Sequence, residues 1–231
     1  MTELIVFDWD GTLMDSEGRI VACLQKAAQA LGREVPPAER AREVIGLGLH
    51  QAVARLFPDA SQTEVQRLAD AYRRHFLGDE LEHSQLFPGA RELLEELAGA
   101  GLFLAVATGK SRRGLEKELE LTGLGDLFHV TRCADETLSK PNPQMLLEIL
   151  DYTGREPEQA LVVGDTEFDM LMAANAGTPA VGVSHGVHPP ERLREAGALV
   201  IFDRLEELPA WLRGAAGGVS SRSADSAPFP A

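Results

Sequence analysis

Cysteine is nearly absent from this 231-residue chain, which contains only Cys23 and Cys133. Neither residue has a second cysteine close enough to form a metal-binding spacing such as CxxC. This scarcity excludes a small scaffold held together by disulfides. We therefore expect both residues to be reduced, buried thiols of a cytoplasmic protein.

Positive charge is also scarce, because 22 Lys and Arg stand against 36 Asp and Glu, a formal net charge of −14. The field of such a chain repels DNA, RNA and anionic lipid surfaces, so neither nucleic acid nor a membrane is an expected partner. An anionic substrate would have to be captured by local cations, helix N-termini or a bound metal ion.

No long hydrophobic run is present near the start of the chain, where MTELIVFDWDG has a short apolar stretch interrupted by Asp8 and no basic residue before it. This pattern is typical of neither a signal peptide nor a membrane anchor. With 44% hydrophobic and 25% charged residues, the chain suits one sizeable core, or one core plus a small insertion. We expect a soluble protein that acts as a monomer or homodimer.

Short apolar runs alternate with segments whose apolar residues recur about every 3.6 positions. This alternation predicts βα units, and hence an α/β fold with a Rossmann-like, mostly parallel sheet and helices on both faces. The predicted strands are 4–7, 102–107, 128–131, 161–163, 180–183 and 199–202. Two of the predicted helices are marked by Leu146, Leu147 and Leu150, and by Phe168, Leu171 and Met172.

The alternation is interrupted once, at residues 16–84, where helical patterns are separated by glycine and proline. We expect an all-helical cap here, inserted into a catalytic core formed by residues 1–15 and 85–213. Residues 214–231 consist mainly of Gly, Ala, Ser and Pro. Burial in such a segment cannot offset the entropy of ordering it, so we expect a disordered tail.

Two acids, Asp8 and Asp10, stand two positions apart at the carboxyl end of the first predicted strand. Side chains at i and i+2 of an extended chain point the same way, so the two carboxylates are expected to share one site. Open α/β sheets usually bind ligands at this edge. The alternative is a DxDG turn that has no catalytic function. A calcium loop of EF-hand type would need an acid or amide at position 12 and a later Glu, and this segment has neither.

A second acidic pair follows the strand predicted at 161–163, with Asp165 at the strand end and Asp169 one helical turn later. A helix N-cap at Asp165 or Thr166 would explain one of these acids but not both. Carboxylates that converge on one sheet edge repel one another unless a cation lies between them. We therefore expect a divalent ion that prefers oxygen ligands, and Mg²⁺ is the usual choice beside a phosphate.

Two further strand ends offer what a phosphate needs. Thr108, Gly109 and Lys110 lead from a predicted strand into a helix, which places a hydroxyl, backbone N–H groups and a lysine together. Lys140 precedes Pro141, which we expect to start a helix and to hold the lysine extended toward the site. Taken alone, Thr108 could equally be a helix cap and Lys140 a solvated loop residue.

The segments DWDGT, VATGK, SKPNP and GDTEFD occur in this order, and together they resemble the motifs of the haloacid dehalogenase superfamily of phosphohydrolases. The resemblance covers residues 4–212, and the insertion resembles the helical cap of the subclass that includes phosphoglycolate phosphatases and β-phosphoglucomutase. It implies that Asp8 is the nucleophile, which forms an aspartyl-phosphate. Asp10 would protonate the leaving alkoxide and later activate water.

The resemblance also implies the binding residues. Thr108 and Gly109 would bind the phosphoryl group, and Lys140 would neutralise charge on the nucleophile and the phosphate. The expected Mg²⁺ ligands are Asp8, the backbone carbonyl of Asp10, Asp165 and, directly or through water, Asp169. An acid at position 10 disfavours the dehalogenation that names the family, because a leaving halide has no oxygen to protonate.

These features predict a Mg²⁺-dependent phosphatase acting on a small phosphorylated metabolite, most like phosphoglycolate phosphatase. A phosphosugar phosphatase, including one for amino-sugar phosphates, and a mutase of the β-phosphoglucomutase type share every motif and stay open. A receiver-like signalling domain is a distant alternative, because such domains are much shorter, lack a helical cap and carry the phosphorylated Asp on a middle strand.

Weaker signals surround these motifs. The segment from Gly46 to His50 lies where similar proteins carry a cap loop that contacts the substrate, although its glycines could simply separate two helices. We expect Arg112 and Arg113, which follow the phosphate loop, to be solvated. Residues 73–75 are expected on an exposed helix face, and His185 in a loop.

Overall fold

The computed structural model describes residues 1–78 and 83–217. Residues 79–82 of the expected cap and 218–231 of the expected tail lie outside the described residues. The strands are β1 (Leu4–Phe7), β2 (Met14–Asp15), β3 (Gln85–Leu86), β4 (Phe103–Thr108), β5 (Val130–Cys133), β6 (Ala160–Gly164), β7 (Ala180–Val183) and β8 (Ile201–Phe202). The α-helices are α1 (Glu17–Ala30), α2 (Ala38–Arg42), α3 (Leu49–Leu56), α4 (Gln62–Leu77), α5 (Ala90–Gly99), α6 (Arg112–Thr122), α7 (Gln144–Thr153), α8 (Glu167–Asn175), α9 (Pro190–Glu195) and α10 (Leu208–Gly217).

Six of the strands form one parallel sheet in the order β5-β4-β1-β6-β7-β8. This confirms the predicted α/β fold with a mostly parallel sheet, and each strand lies within two residues of its predicted limits. The chain adds β4 and β5 on one side of β1 and then β6, β7 and β8 on the other. The winding therefore reverses at β1, and a crevice for a ligand is expected at its carboxyl end.

Helices cover both faces of this sheet. Along β1 successive side chains alternate, so that Ile5 and Phe7 join one buried cluster with α5 and α6. Leu4 and Val6 join a second cluster with α7, α8 and α9. Burial on both faces explains why the strand is a continuous apolar run, and each such side chain stabilises the fold by roughly 1.5–3 kcal/mol.

Helices α1 to α4 pack around a third cluster that includes Leu24, Val53, Leu68 and Phe76. The chain leaves the sheet through β2 and returns through β3, which pair antiparallel just outside the limits 16–84 expected for the helical insertion. Within the described ranges, no helix is long and apolar enough to cross a bilayer. Cys23 and Cys133 are buried, as the sequence predicted, and they form no disulfide within the described part of the chain.

The C-terminal boundary differs from the expected one. Helix α10 runs through Gly217, so residues 214–217 are helical and do not belong to a disordered tail. Trp211 and Leu212, which precede this stretch in the same helix, pack against the core. They anchor a helix that two alanines, the strongest helix formers, can extend beyond Gly214.

Candidate active site

The predicted site residues meet where the winding of the sheet reverses. Asp8 follows β1, Thr108 ends β4, Asp165 follows β6, and Lys140 reaches in from the segment between β5 and α7. All four are buried. Four separate strand or loop ends therefore converge at one edge, as parallel topology requires.

The carboxylates of Asp8, Asp165 and Asp169 form a compact cluster, with one oxygen of each within 4.8 Å of the others. Asp165 is held by Thr12 Oγ1, which donates to its Oδ1 over 2.8 Å, and by the Val187 N–H, which donates to its Oδ2 over 2.9 Å. Gly11 allows the first loop to lie against this carboxylate, because its φ is +88° and a Cβ there would stand 2.2 Å from Asp165 Oδ2.

Helix α8 supplies the third acid. Thr166, and not Asp165, is its N-cap residue, and Asp169 Oδ2 accepts hydrogen bonds from the Thr166 N–H at 3.1 Å and the Thr166 hydroxyl at 2.7 Å. Asp169 Oδ1 is turned to Lys140. Asp165 is thereby free of any capping function and faces the acidic cluster.

The acidic cluster fits a divalent cation. Among the described residues, Asp8 Oδ2 is a buried oxygen without a hydrogen-bond partner. Burial, and next the charge of Asp169, raises the pKa of Asp165 to about 7. Burial likewise raises the pKa of Asp8, against the influence of Lys140. An added positive charge would supply the missing partner and favour the ionised carboxylates.

Lys140 is fully buried, and its Nζ lies 2.6 Å from Asp8 Oδ1 and 2.5 Å from Asp169 Oδ1. Burial alone would lower its pKa, but Asp169 and Asp8 outweigh that effect and hold the pKa above its ordinary value. The expectation that Pro141 starts the next helix is wrong, since α7 begins at Gln144 after Pro143. The Lys140–Pro141 peptide bond is cis.

Thr108 and Gly109 have different parts in the site. Thr108 does not cap α6, because Ser111 occupies that position and accepts from the Gly114 N–H. The Thr108 hydroxyl oxygen accepts from the Lys110 N–H at 3.2 Å, which leaves the hydroxyl proton to donate to a ligand. At Gly109 a Cβ would lie 2.6 Å from the Leu47 carbonyl oxygen, so glycine lets the insertion approach the core.

Asp10 lines the same cavity as Asp8, as the spacing predicted, but its carboxylate lies outside the acidic cluster. Its Oδ1 accepts from Ser16 Oγ over 2.6 Å and lies 2.9 Å from Lys110 Nζ. Metal ligation by the Asp10 backbone carbonyl stays a prediction.

The insertion closes this cavity from the other side. Its loop is attached to the core by the Gly48 N–H, which donates to Ser139 Oγ over 2.7 Å. Within the expected substrate loop, Gly46, Leu47 and Leu49 line the cavity, whereas His50 is exposed and hydrogen-bonds Gln66. The insertion contributes mostly apolar side chains to the lining, including Ile20, Leu24, Val44, Ile45, Leu47, Tyr72 and Phe76.

Two functional candidates were missed by the sequence analysis. Arg73, expected on an exposed face, is half-buried and lines the cavity. Helical spacing could have indicated this position, because Arg73 lies three residues before the buried Phe76 and therefore on the same face of α4. Glu118 is buried on α6, where it contacts Lys110 and accepts a hydrogen bond from the Trp9 indole.

The remaining candidates from the sequence lie outside the cavity lining or contact other parts of the core. Arg112 pairs with Glu136 at 2.8 Å and bonds Thr131, so it is occupied away from the cavity. Arg113 is exposed. His185 lies in a loop, where its ring packs on Phe87 and its Nε2 lies 3.1 Å from the Thr12 carbonyl.

Comparison with known proteins decides the family. The family model described as haloacid dehalogenase-like hydrolase matches residues 5–183. The chain belongs to this family. The resemblance inferred from the four motifs is thereby confirmed.

Individual relatives resemble nearly the whole chain. Phosphoglycolate phosphatase of Rhodospirillum rubrum is 34% identical over 224 residues, which cover 92% of this chain and 91% of the relative. N-acetylmuramic acid 6-phosphate phosphatase of Pseudomonas aeruginosa is 33% identical over 211 residues, covering 88% and 92%. A crystal structure of a haloacid dehalogenase-like hydrolase from Bacteroides fragilis superposes with a TM-score of 0.85 at 24% identity. The superposition covers 90% of this chain and all of that one, so the two proteins share their fold.

Proposed function

We propose that this protein is a Mg²⁺-dependent phosphatase that hydrolyses a small phosphomonoester through an aspartyl-phosphate on Asp8, most like phosphoglycolate phosphatase. The carrying observation is that Asp8 contacts the buried Lys140 at 2.6 Å and also belongs to a cluster of three carboxylates. This arrangement brings a nucleophilic oxygen and positive charge to one point, which is what phosphoryl transfer needs.

In the first step, an Asp8 carboxylate oxygen attacks phosphorus and the bond from phosphorus to the alcohol oxygen breaks. Asp10, which lines the same cavity, gives its proton to the departing oxygen, so that a neutral alcohol leaves. Lys140 balances the charge on Asp8 and the phosphoryl oxygens, and the Thr108 hydroxyl donates to one of those oxygens.

In the second step, water attacks the phosphorus of the aspartyl-phosphate while the Asp10 carboxylate takes a proton from that water. The acyl–phosphate bond between Asp8 and phosphorus breaks, which returns the Asp8 carboxylate and releases inorganic phosphate. When bound, Mg²⁺ supplies positive charge beside the phosphoryl oxygens. Asp8, Asp165 and the Asp10 carbonyl would hold the ion, with Asp169 as a direct or water-mediated ligand.

The choice of substrate lies with the insertion. Its apolar lining favours a compact leaving group. Arg73 also lines the cavity and pairs with Asp70 at 2.8 Å, so a carboxylate such as that of phosphoglycolate would have to share or replace that partner. Sugar and amino-sugar phosphates are the alternative substrates, since one relative is named for N-acetylmuramic acid 6-phosphate. A panel of phosphomonoesters assayed with Mg²⁺ tests the proposal, and release of phosphate from none of them would overturn it.

The same panel separates a phosphatase from a mutase. A mutase would transfer the phosphoryl group to a second hydroxyl of a sugar phosphate, whereas a phosphatase transfers it to water. We expect free phosphate to match the substrate consumed. An isomeric sugar phosphate as the main product would support the mutase instead.

Metal binding should depend on pH in a defined direction. Without metal, folded Asp165 has a pKa of about 7, above its unfolded value of about 4, so its contribution to stability is lost as pH rises through that window. Mg²⁺ binding requires the ionised form. We expect Mg²⁺ to raise the melting temperature more at about pH 8 than at about pH 6, measured by calorimetry against excess chelator.

The control for that measurement is Asp165→Asn, which should remove the Mg²⁺-dependent gain at both pH values. Activity should disappear in chelator and return with Mg²⁺, whereas Ca²⁺ should substitute poorly because its coordination is larger and looser. Full turnover in excess chelator, or an equal thermal gain at both pH values, would contradict the metal assignment.

Core and insertion should have separable effects on substrate choice. Thr108→Ala should slow every substrate by a similar factor, because each presents the same phosphoryl group. Leu47→Ala should instead change the ratio of kcat/KM between two good substrates, because Leu47 belongs to the part of the cavity lining that the insertion contributes. His50→Ala serves as the control, since His50 is directed to Gln66 and should leave the ratio unchanged. A ratio altered by Thr108→Ala but not by Leu47→Ala would reverse this division.

A further inference from the structure

A buried ion pair beside the site has no part in the mechanism described above. The side chains of Lys110 and Glu118 are 5% and 9% exposed, and Lys110 Nζ lies 3.4 Å from Glu118 Oε1. The same ammonium lies 2.9 Å from Asp10 Oδ1. Glu118 Oε2 accepts a hydrogen bond from the Trp9 indole. One cation therefore joins two carboxylates that are far apart in sequence.

Stability alone does not explain this cluster. Two carboxylates and one ammonium are removed from water, and apolar residues of similar volume often stabilise a core as well as a buried ion pair does. Burial raises the pKa of Glu118, against the influence of Lys110. Burial would lower the pKa of Lys110, but Asp10 and Glu118 hold it above its ordinary value. The ammonium is thus kept charged beside Asp10.

The contacts of Lys110 constrain how the Asp10 carboxylate is oriented. Lys110 Nζ and Ser16 Oγ both contact Asp10 Oδ1. Two contacts to one oxygen fix the plane of the carboxylate, and hence the direction in which its second oxygen points. Proton transfer to a leaving oxygen requires that direction to be held within hydrogen-bond geometry.

The pair is in turn anchored on both sides. Glu118 is held by Trp9, whose indole packs edge-on against Phe128 at 6.2 Å between ring centroids. On the other side, the centroid of the Phe76 ring lies 4.2 Å from Lys110 Nζ, so the ring covers the ammonium. Phe76 belongs to α4 of the insertion, so the environment of Lys110 is complete only when the insertion lies on the core.

We propose that Lys110 and Glu118 are positioning residues, which hold Asp10 in the orientation for proton transfer when Phe76 of the insertion covers Lys110. This inference rests on the proposed function, because it takes Asp10 as the proton donor. Lys110 and Glu118 act through Asp10.

The test compares two leaving groups. p-Nitrophenolate is a weak base that departs without a proton, whereas the alkoxide of an alkyl phosphate needs one. We expect Lys110→Met and Glu118→Gln to lower kcat for the best alkyl phosphate of the panel about tenfold more than kcat for p-nitrophenyl phosphate. Phe76→Leu should shift the same ratio in the same direction by a smaller factor, and Lys110→Arg should recover part of it.

Two reference variants make the result interpretable. Asp10→Asn should show the largest selective loss, and Glu116→Gln, an exposed glutamate on the same helix, should leave both rates unchanged. Circular dichroism verifies folding, and if Lys110→Met fails to fold, the isosteric Glu118→Gln decides. A selective loss in Asp10→Asn together with equal losses for both substrates in Glu118→Gln would overturn this inference. Equal losses in Asp10→Asn itself would instead refute Asp10 as the acid, and the inference would fall with it.

Discussion

Asp8→Asn is expected to lower kcat at least about a thousandfold while the protein stays folded. The substitution keeps the volume of the side chain but removes the nucleophilic carboxylate and one charge of the acidic cluster. Folding should survive, because Lys140 keeps its ion pair with Asp169 when Asp8 is replaced. Phosphate release and circular dichroism measure the two quantities separately.

A matched control for Asp8→Asn is Asp151→Asn, which changes an exposed aspartate near the C-terminal end of α7 and should retain wild-type kcat. If folded Asp8→Asn kept more than a few per cent of wild-type turnover, Asp8 would not be the nucleophile. The carboxylate cluster would then have to serve a different reaction.

Lys140→Met should have the second large effect, on stability and activity together. Removing one partner of a buried ion pair leaves the other charge uncompensated, which typically costs about 3–5 kcal/mol. Here Asp8 and Asp169 would both lose their contact with the ammonium. Loss of charge stabilisation at the phosphoryl group should also lower kcat by about a hundredfold or more.

Denaturant unfolding in chelator measures the stability effect of Lys140→Met. Arg113→Met, the loss of an exposed cation at the start of α6, is the control and should change the free energy of unfolding little. Because Mg²⁺ adds positive charge to the same cluster, it should restore part of the stability but not the activity. A variant as stable and active as the wild type would show that Lys140 is dispensable.

Much of the fold was predictable because its signals are local. The six strands of the main sheet are short apolar runs, and parallel topology then places Asp8, Thr108 and Asp165 at one edge. Exposed leucines such as Leu147 and Leu171 were counted among the marks of amphipathic helices. The helix predictions were still correct, because the neighbouring apolar residues are buried at helical spacing. Single exposed leucines are common on protein surfaces.

The parts that escaped prediction depend on contacts between distant segments. Nothing near Glu118 indicates that it meets Trp9, 109 positions earlier. Likewise, the need for glycine at position 109 comes from the carbonyl groups of Gly46 and Leu47, which belong to the insertion. Local periodicity and motif spacing carry no information about such partners, so only the folded structure shows them.

The central claim is a covalent phosphoryl group on Asp8, and the most direct measurement is its capture. Wild-type protein is mixed with Mg²⁺ and a good substrate carrying labelled phosphate, quenched in acid within the first turnovers, digested and sequenced by mass spectrometry. The label should lie on Asp8 in the wild type and be absent from Asp8→Asn. Label on any other residue, or turnover with no labelled peptide in repeated early quenches, would contradict the account.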